Sequence, residues 1–172
     1  KLRTIFQKEK PSVVIHFAAE THVDRSIQNA EPFIQTNVTG TQNLIDLARE
    51  RKIKRFVHIS TDEIYGESRS GKFLESSPHR PGNPYSSTKC AAELLILAAV
   101  RTFQFPAVII RPANSYGPWQ YPEKFVPVII FKALHNKKIP VYGKGQQIRE
   151  WLHVNDCAKA IHVILKKGKI GE

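Results

Sequence analysis

The chain has 172 residues, 41% hydrophobic and 24% charged, the make-up of a folded domain with a real core, which excludes a disordered or collagen-like polymer. Lys and Arg number 26 against 15 Asp and Glu, giving a formal net charge of +11. The cations are scattered, with short runs only at 49–55 and 166–169, which suits steering of a small anion better than a nucleic-acid groove.

In chain order, Leu2, Ile5 and Phe6 open the sequence in mid-helix. The apolar run Val13 to Phe17, led in by Pro11, reads as a strand and passes into Ala18-Ala19-Glu20-Thr21. Helical periodicity follows at 32–38 and again at 39–52, with Leu44, Ile45, Leu47 and Ala48 on one face. A second strand spans Arg55 to Ser60. A turn-rich loop then covers Gly66 to Pro84, rich in Ser, Gly and Pro. The helix Tyr85 to Thr102 is strongly patterned, and Ala107 to Arg111 reads as a third strand. Strands that are continuous apolar runs alternating with helices predict a parallel sheet covered on both faces, an α/β Rossmann-like doubly wound fold.

Beyond Tyr116-Gly117-Pro118 the alternation stops. A helix is expected over Phe125 to His135, short strands over Ile139 to Tyr142 and Glu150 to Val154, and a last amphipathic helix over Asp156 to Lys167. The division is therefore residues 1–117 as one domain and 118–172 as the start of a smaller lobe. The chain lacks Met at position 1 and reads as a fragment of a longer protein. Cys90 and Cys157 sit in apolar helical patterns and read as reduced and buried, in a reducing compartment. With no signal peptide and no membrane-length apolar run, the expected location is cytoplasmic, with no membrane partner.

In open parallel sheets, ligands sit beyond the carboxyl ends of the strands. Those ends read Ala18-Ala19-Glu20-Thr21, Thr61-Asp62-Glu63 and Pro112-Ala113-Asn114-Ser115, each turning from apolar to small or polar. Adjacent carboxylates at a strand mouth serve chemistry better than a core. Held close in a partly dry cleft, like charges drive one pKa up and so divide acid from base. In isolation such a pair is an ordinary solvated turn. Tyr85 and Lys89 lie four apart on one helix face, where an ammonium would favour the phenolate and make Tyr85 a general base. Arg149 and Lys124 could clamp phosphate oxygens, although each alone is also an ordinary surface cation. Gly143-Lys144-Gly145 lacks the third glycine of a dinucleotide fingerprint and reads as a turn. His16 and His58 read as hydrogen-bonded core residues. No metal-ligand spacing occurs, so no metal is expected.

The segments HFAAETHVDRS (16–26), TNVTGT (36–41), ISTDEIYG (59–66), NPYSSTK (83–89), ANSYGPWQYPEKFVP (113–127) and PVYGKGQQIREWLHVND (140–156) together resemble the extended short-chain dehydrogenase/reductase family. The likeness is to its nucleotide-sugar 4,6-dehydratase branch, and it covers nearly the whole chain. That resemblance implies NAD as cofactor, dTDP-glucose as substrate and a homodimer paired through the helices around 39–51 and 85–102. It implies catalytic roles for Thr61, Asp62, Glu63, Tyr85 and Lys89. It implies that Ala18, Ala19, Thr36 and Ser115, with Tyr85 and Lys89, meet NAD. Thr21, Asn114, Lys124, Phe125, Pro140, Tyr142 and Arg149 would then contact the nucleotide sugar. Ser115 and Glu150 depart from the family's usual Asn and Asp. The family's glycine-rich pyrophosphate loop would lie upstream of Lys1, so weak NAD retention is expected of this chain alone. A sibling epimerase or decarboxylase, and more distantly a non-catalytic binding module, are the competing expectations.

Overall fold

The computed structural model describes residues 1–67, 71–141, 143–146 and 148–172. By internal contacts the chain divides into two units, Lys1–Pro112 with His162–Glu172, and Ala113–Ile161. The boundary expected after Gly117 thus falls after Pro112, and the chain's last residues return to the first unit.

In the first unit, helix α1 (Leu2–Glu9) leads into strand β1 (Val13–His16). Next come helix α2 (Val23–Gln28), the short α3 (Glu31–Phe33), a π-helical stretch Ile34–Thr39 and α4 (Gly40–Glu50). Strand β2 (Arg55–Ile59), helix α5 (Pro84–Phe103) and strand β3 (Ala107–Ile110) complete it. The three strands form one parallel sheet in the order β1-β2-β3, with Val14 opposite Phe56 and Phe56 opposite Ala107. Parallel neighbours joined by helical crossovers make this the expected Rossmann-like α/β architecture.

Alternation along the strands sorts the two faces. Val14, Phe56 and Ala107 share one face, and their cluster takes in Phe6 of α1, Ile45 and Ala48 of α4, and Ile96 and Ala99 of α5. Val13 and Ile15 point to the other face and stay exposed at 38% each, so β1 is covered on one side only. The expectation of a sheet covered throughout on both faces fails at this edge strand. On the opposite edge, the Ile109 amide donates to the Glu172 carbonyl and the Gly171 amide to that of Ala107.

The packed face changes character along its length. At the amino ends of the strands it is oil: Phe56, Ala107 and Phe105. Toward the carboxyl ends it carries His16, His58 and Ser60, all buried. His16 Nε2 meets Thr41 Oγ1 at 2.8 Å, and Thr41 donates to the Asn37 carbonyl at 2.6 Å. Burial pulls the His16 pKa down to about 4, with the Lys89 charge adding to the effect. His58 is fully buried, yet among the described residues neither ring nitrogen has a hydrogen-bond partner, which corrects the reading of it as a satisfied core histidine. Its ring lies 5.2 Å from that of His16, and burial keeps it neutral.

In the second unit, β4 (Asn114–Tyr116) and β5 (Trp151–His153) pair in parallel, and helix α6 (Phe125–Leu134) lies between them in sequence. The Phe125 ring stacks on Trp151 at 5.7 Å, and the Tyr116 ring meets His153 edge-on at 5.3 Å. Helix α7 (Val154–Lys167) begins in this unit. The strand expected over 139–142 does not form at Ile139, Pro140 or Val141, which are exposed, and Tyr142 lies outside the described residues. Gly143 and Gly145 take positive φ, as a turn requires. Both cysteines are free; Cys90 is buried, but Cys157 is only half-buried, because its stretch of α7 buries little beyond Ile161.

Candidate active site

Strand β2 ends at Ile59, and the chain turns at once into a short 3-10 helix, Asp62–Tyr65. Thr61 caps that turn, its Oγ1 accepting from the Glu63 amide at 3.3 Å and donating to Asp62 Oδ1 at 3.3 Å. The turn is fastened to β3 by the Ser60 amide on the Ile110 carbonyl and the Asp62 amide on the Pro112 carbonyl. It stops at Gly66, where φ is +80° and a Cβ would collide with the Arg80 carbonyl. Asp62 and Glu63 are thereby held half-exposed on one tight turn.

Helix α5 begins beside this turn. Asn83 is its N-cap in a reciprocal capping box with Ser86, and Pro84 fills the first position, where a missing N–H costs nothing. The same Asn83 donates through Nδ2 to Glu63 Oε2 at 3.3 Å, so one residue starts the helix and orients a carboxylate. The Tyr85 amide donates to Ser26 Oγ at 3.1 Å, and Ser26 donates to the Val23 carbonyl, tying α5 to α2. Buried Asn37 donates to Thr88 Oγ1 at 2.9 Å, and Thr88 donates to the Tyr85 carbonyl at 2.8 Å. Asn37 also exchanges two hydrogen bonds with the Glu20 backbone, fixing the segment beyond β1.

Tyr85 and Lys89 are both buried on the first turns of α5. Their electrostatics differ from the expected pairing. The Tyr85 pKa is pushed up to about 12, first by burial, then by Glu63 and Asp62, against a hydrogen bond with Thr61 that favours the phenolate. The Lys89 Nζ instead donates to the Ile59 carbonyl at 2.7 Å, and burial pulls its pKa down to about 8 against the opposing Glu93 charge. The expectation that Lys89 lowers the Tyr85 pKa is therefore corrected. Desolvation and two carboxylates outweigh a cation aimed at the strand backbone.

The first unit thus brings Thr61, Asp62, Glu63, Tyr85 and Lys89 together. Ala18 is exposed and Ala19 half-buried beyond β1, Thr21 is exposed, and Thr36 is half-buried in the π-helical stretch. The second unit carries Asn114 and Ser115 on β4, with the Ser115 carbonyl accepting from Gln120. Lys124 is the N-cap residue of α6, and Phe125, its first residue, is 56% exposed. Pro140 and Arg149 are exposed, and Arg149 Nη1 bonds the Ile148 carbonyl. Sequence reasoning missed Ser26, Asn37, Asn83 and Thr88 as the props of the site. For Asn83 a signal was present, since Asn before Pro at a helix start is a capping signature; the other three depend on contacts across 51 or more positions or between α2 and α5, which spacing does not reveal.

A family model described as the NAD dependent epimerase/dehydratase family matches residues 1–172. The chain is 51% identical over 160 residues to a low-salt glycan biosynthesis protein, Agl12, of Haloferax volcanii, spanning 93% of this chain and 52% of that one. It is 48% identical over 159 residues to a dTDP-glucose 4,6-dehydratase of Streptomyces niveus, spanning 92% and 47%. Its fold matches a double mutant of dTDP-glucose 4,6-dehydratase from Streptomyces venezuelae, crystallised with NAD, at a TM-score of 0.95 and 40% identity over 99% of this chain and 53% of that one. The chain therefore spans about half the length of the relatives it matches. A match along its whole length, on a parallel sheet with this turn and this helix at its carboxyl edge, settles the kinship: the chain belongs to the NAD dependent epimerase/dehydratase family.

Proposed function

We propose that the chain supplies the reaction centre of an NAD-dependent nucleotide-sugar 4,6-dehydratase, a lyase acting on dTDP-glucose. One observation carries the reading: Asp62 and Glu63 share one turn, the Asn83–Glu63 hydrogen bond ties that turn to the start of α5, and the buried Tyr85 and Lys89 lie on the first turns of the same helix. Elimination of water needs an acid and a base side by side, and oxidation at a neighbouring carbon needs a base for a hydroxyl. This turn and the first turns of α5 offer both.

The residues fit the cofactor on chemical grounds. The Lys89 ammonium has three N–H donors, of which one goes to the Ile59 carbonyl, leaving donors for the vicinal hydroxyls of a ribose. Ala18 and Ala19 present little side chain at the end of β1, so a ligand can approach the backbone, with Thr36 and Ser115 completing the proposed cofactor contacts. Bound there, NAD would supply the hydride acceptor for the sugar C4 and the hydride donor for C6. Tyr85 takes the proton of the C4 hydroxyl, while Thr61 hydrogen-bonds the C4 oxygen. The C4 ketone acidifies the C5 hydrogen, Glu63 removes that proton, and Asp62 protonates the departing C6 hydroxyl. Thr21, Asn114, Lys124, Phe125, Pro140, Tyr142 and Arg149 are proposed to hold the nucleotide sugar, with the Arg149 fork on its diphosphate. In this scheme most of the cofactor and catalytic contacts come from the first unit and most of the sugar-nucleotide contacts from the second. The enzyme is further read as a cytoplasmic homodimer paired through α4 and α5, where Leu94 is 56% exposed.

Incubation of the full-length enzyme with dTDP-glucose in deuterated water tests the reading. The expected product is a 4-keto-6-deoxy sugar carrying deuterium at C5. A product that keeps its C6 hydroxyl, or is inverted at C4, overturns it in favour of a sibling epimerase.

A further inference from the structure

Beneath the catalytic turn lies a second polar cluster that the proposed chemistry does not use. Glu93 of α5 is fully buried, in an otherwise apolar stretch of the helix. Arg111, immediately after β3, grips it with three hydrogen bonds: Nε to both carboxylate oxygens at 3.1 Å, and Nη2 to Oε2 at 2.8 Å. The remaining nitrogen, Nη1, reaches the Tyr65 hydroxyl at 2.8 Å and the Glu75 carbonyl at 3.2 Å. Tyr65 is the last residue of the turn that begins with Asp62. Its ring stacks on Phe73 at 5.3 Å and meets His79 edge-on at 5.9 Å, and His79 approaches Glu93 at 3.9 Å. The Arg80 amide donates to the Ile64 carbonyl at 2.8 Å, so the loop after the turn closes on the same spot.

A guanidinium is a rigid planar fork, and here its two edges address two different elements. One edge is bound to the helix that carries Tyr85 and Lys89, the other to the turn that carries Asp62 and Glu63. We propose that Glu93 and Arg111 are positioning residues that set the elimination carboxylates against the oxidation base, with Tyr65 as the link. This rests on the dehydratase reading for its kinetic consequence, but not for the contact itself. Fixing the turn matters more to elimination than to oxidation, because Tyr85 and Lys89 have independent anchors in Ser26, Thr88 and the Ile59 carbonyl. Asp62 and Glu63 depend on the turn.

The test uses Tyr65→Phe, which keeps the buried ring and removes only the acceptor of the Arg111 bond, with Arg111→Lys as a second variant in the full-length enzyme. Amide hydrogen exchange over residues 62–66 of the ligand-free protein is expected to quicken by about tenfold or more, with the amides of α5 unchanged. During turnover, sugar oxidation is expected to proceed while water loss and C5 exchange slow by about tenfold to a hundredfold, so reduced cofactor accumulates. Unchanged exchange at 62–66 overturns the inference, and so does slowing of oxidation and elimination in equal proportion. Failure of the unmutated enzyme to dehydrate dTDP-glucose would strike the functional reading alone, and the exchange rates would then still decide whether the clamp exists.

Discussion

Two cations flank the catalytic turn, Lys89 buried and Arg111 partly so, and they are partnered differently. Arg111 has a carboxylate, a phenol and a carbonyl around one guanidinium, and its pKa is raised, hydrogen bonding and the Glu93 charge outweighing desolvation. Among the described residues the Lys89 ammonium bonds one backbone carbonyl, and burial pulls its pKa down to about 8. The difference separates scaffold from chemistry. A partly buried charge with several partners holds a local shape, whereas a buried one with few partners costs stability unless a ligand adds to them. By this measure Arg111 and Glu93 hold the site, while Lys89 and Tyr85 belong to the proposed chemistry.

The largest effects fall on the Tyr85 and Lys89 side. Tyr85→Phe removes the proposed base toward the C4 hydroxyl and is expected to lower kcat by about a thousandfold, with little change in thermal stability. Glu63→Gln is expected to lower kcat comparably, but with C4 oxidation preserved. Steady-state rates together with single-turnover formation of reduced cofactor distinguish the two. Equal loss of both half-reactions in Glu63→Gln would contradict the division of labour proposed for the carboxylates.

On the Arg111 side the readout is stability. Glu93→Ala leaves a largely buried guanidinium facing an empty space and is expected to cost about 3 kcal/mol or more in denaturant unfolding. The double change Glu93→Leu with Arg111→Met removes both charges and is expected to recover most of that loss, since a buried pair adds little over well-packed apolar residues. A double variant no more stable than Glu93→Ala would mean that Arg111 stabilises mainly through Tyr65 and Glu75.

Much of this contrast was legible in the sequence, but unevenly. The three strands and α5 declare themselves by period and composition, and Thr61-Asp62-Glu63 and Tyr85…Lys89 by their place at strand end and helix start. Glu93 and Arg111 did not, because a carboxylate inside an apolar helix and a cation after a strand become a pair only when β3 packs beside α5. The direction of the Tyr85 shift was also misread from spacing. Four residues on a helix bring two Cβ atoms to one face, yet Lys89 is long enough to reach the backbone of β2 instead. Phe125 and Arg149 could be named as candidates, but their partners depend on packing that no local pattern encodes.

A smaller effect sharpens the comparison through pH. Lys89 in an unfolded chain holds its proton to about pH 10.5 and in the fold only to about 8, so between these values the unfolded state binds more protons. Stability therefore rises as pH increases from about 8 toward 10, by up to about 3 kcal/mol from this one group. Lys89→Met is expected to flatten that rise in urea midpoints measured across the window. An unchanged slope would locate the titration elsewhere. His16, pulled down to about 4, gives a matching acid limb: stability falls as pH drops from about 6.5 to 4, because unfolding lets the ring take up a proton.

The smallest effect concerns Tyr85 itself. Its pKa is pushed up to about 12 by burial first and by the Glu63 and Asp62 charges after it. Glu63→Gln deletes one of those charges while keeping a side chain that can still accept from Asn83, so the phenol should ionise at lower pH. Ultraviolet titration of tyrosinate, taken as the difference between each protein and its Tyr85→Phe counterpart, isolates this one ring among five. A downward shift establishes that the elimination base sets the readiness of the oxidation base, so the two halves of the proposed reaction share one electrostatic field. No shift would mean that desolvation alone governs Tyr85, and the carboxylates could then be altered without disturbing the first step.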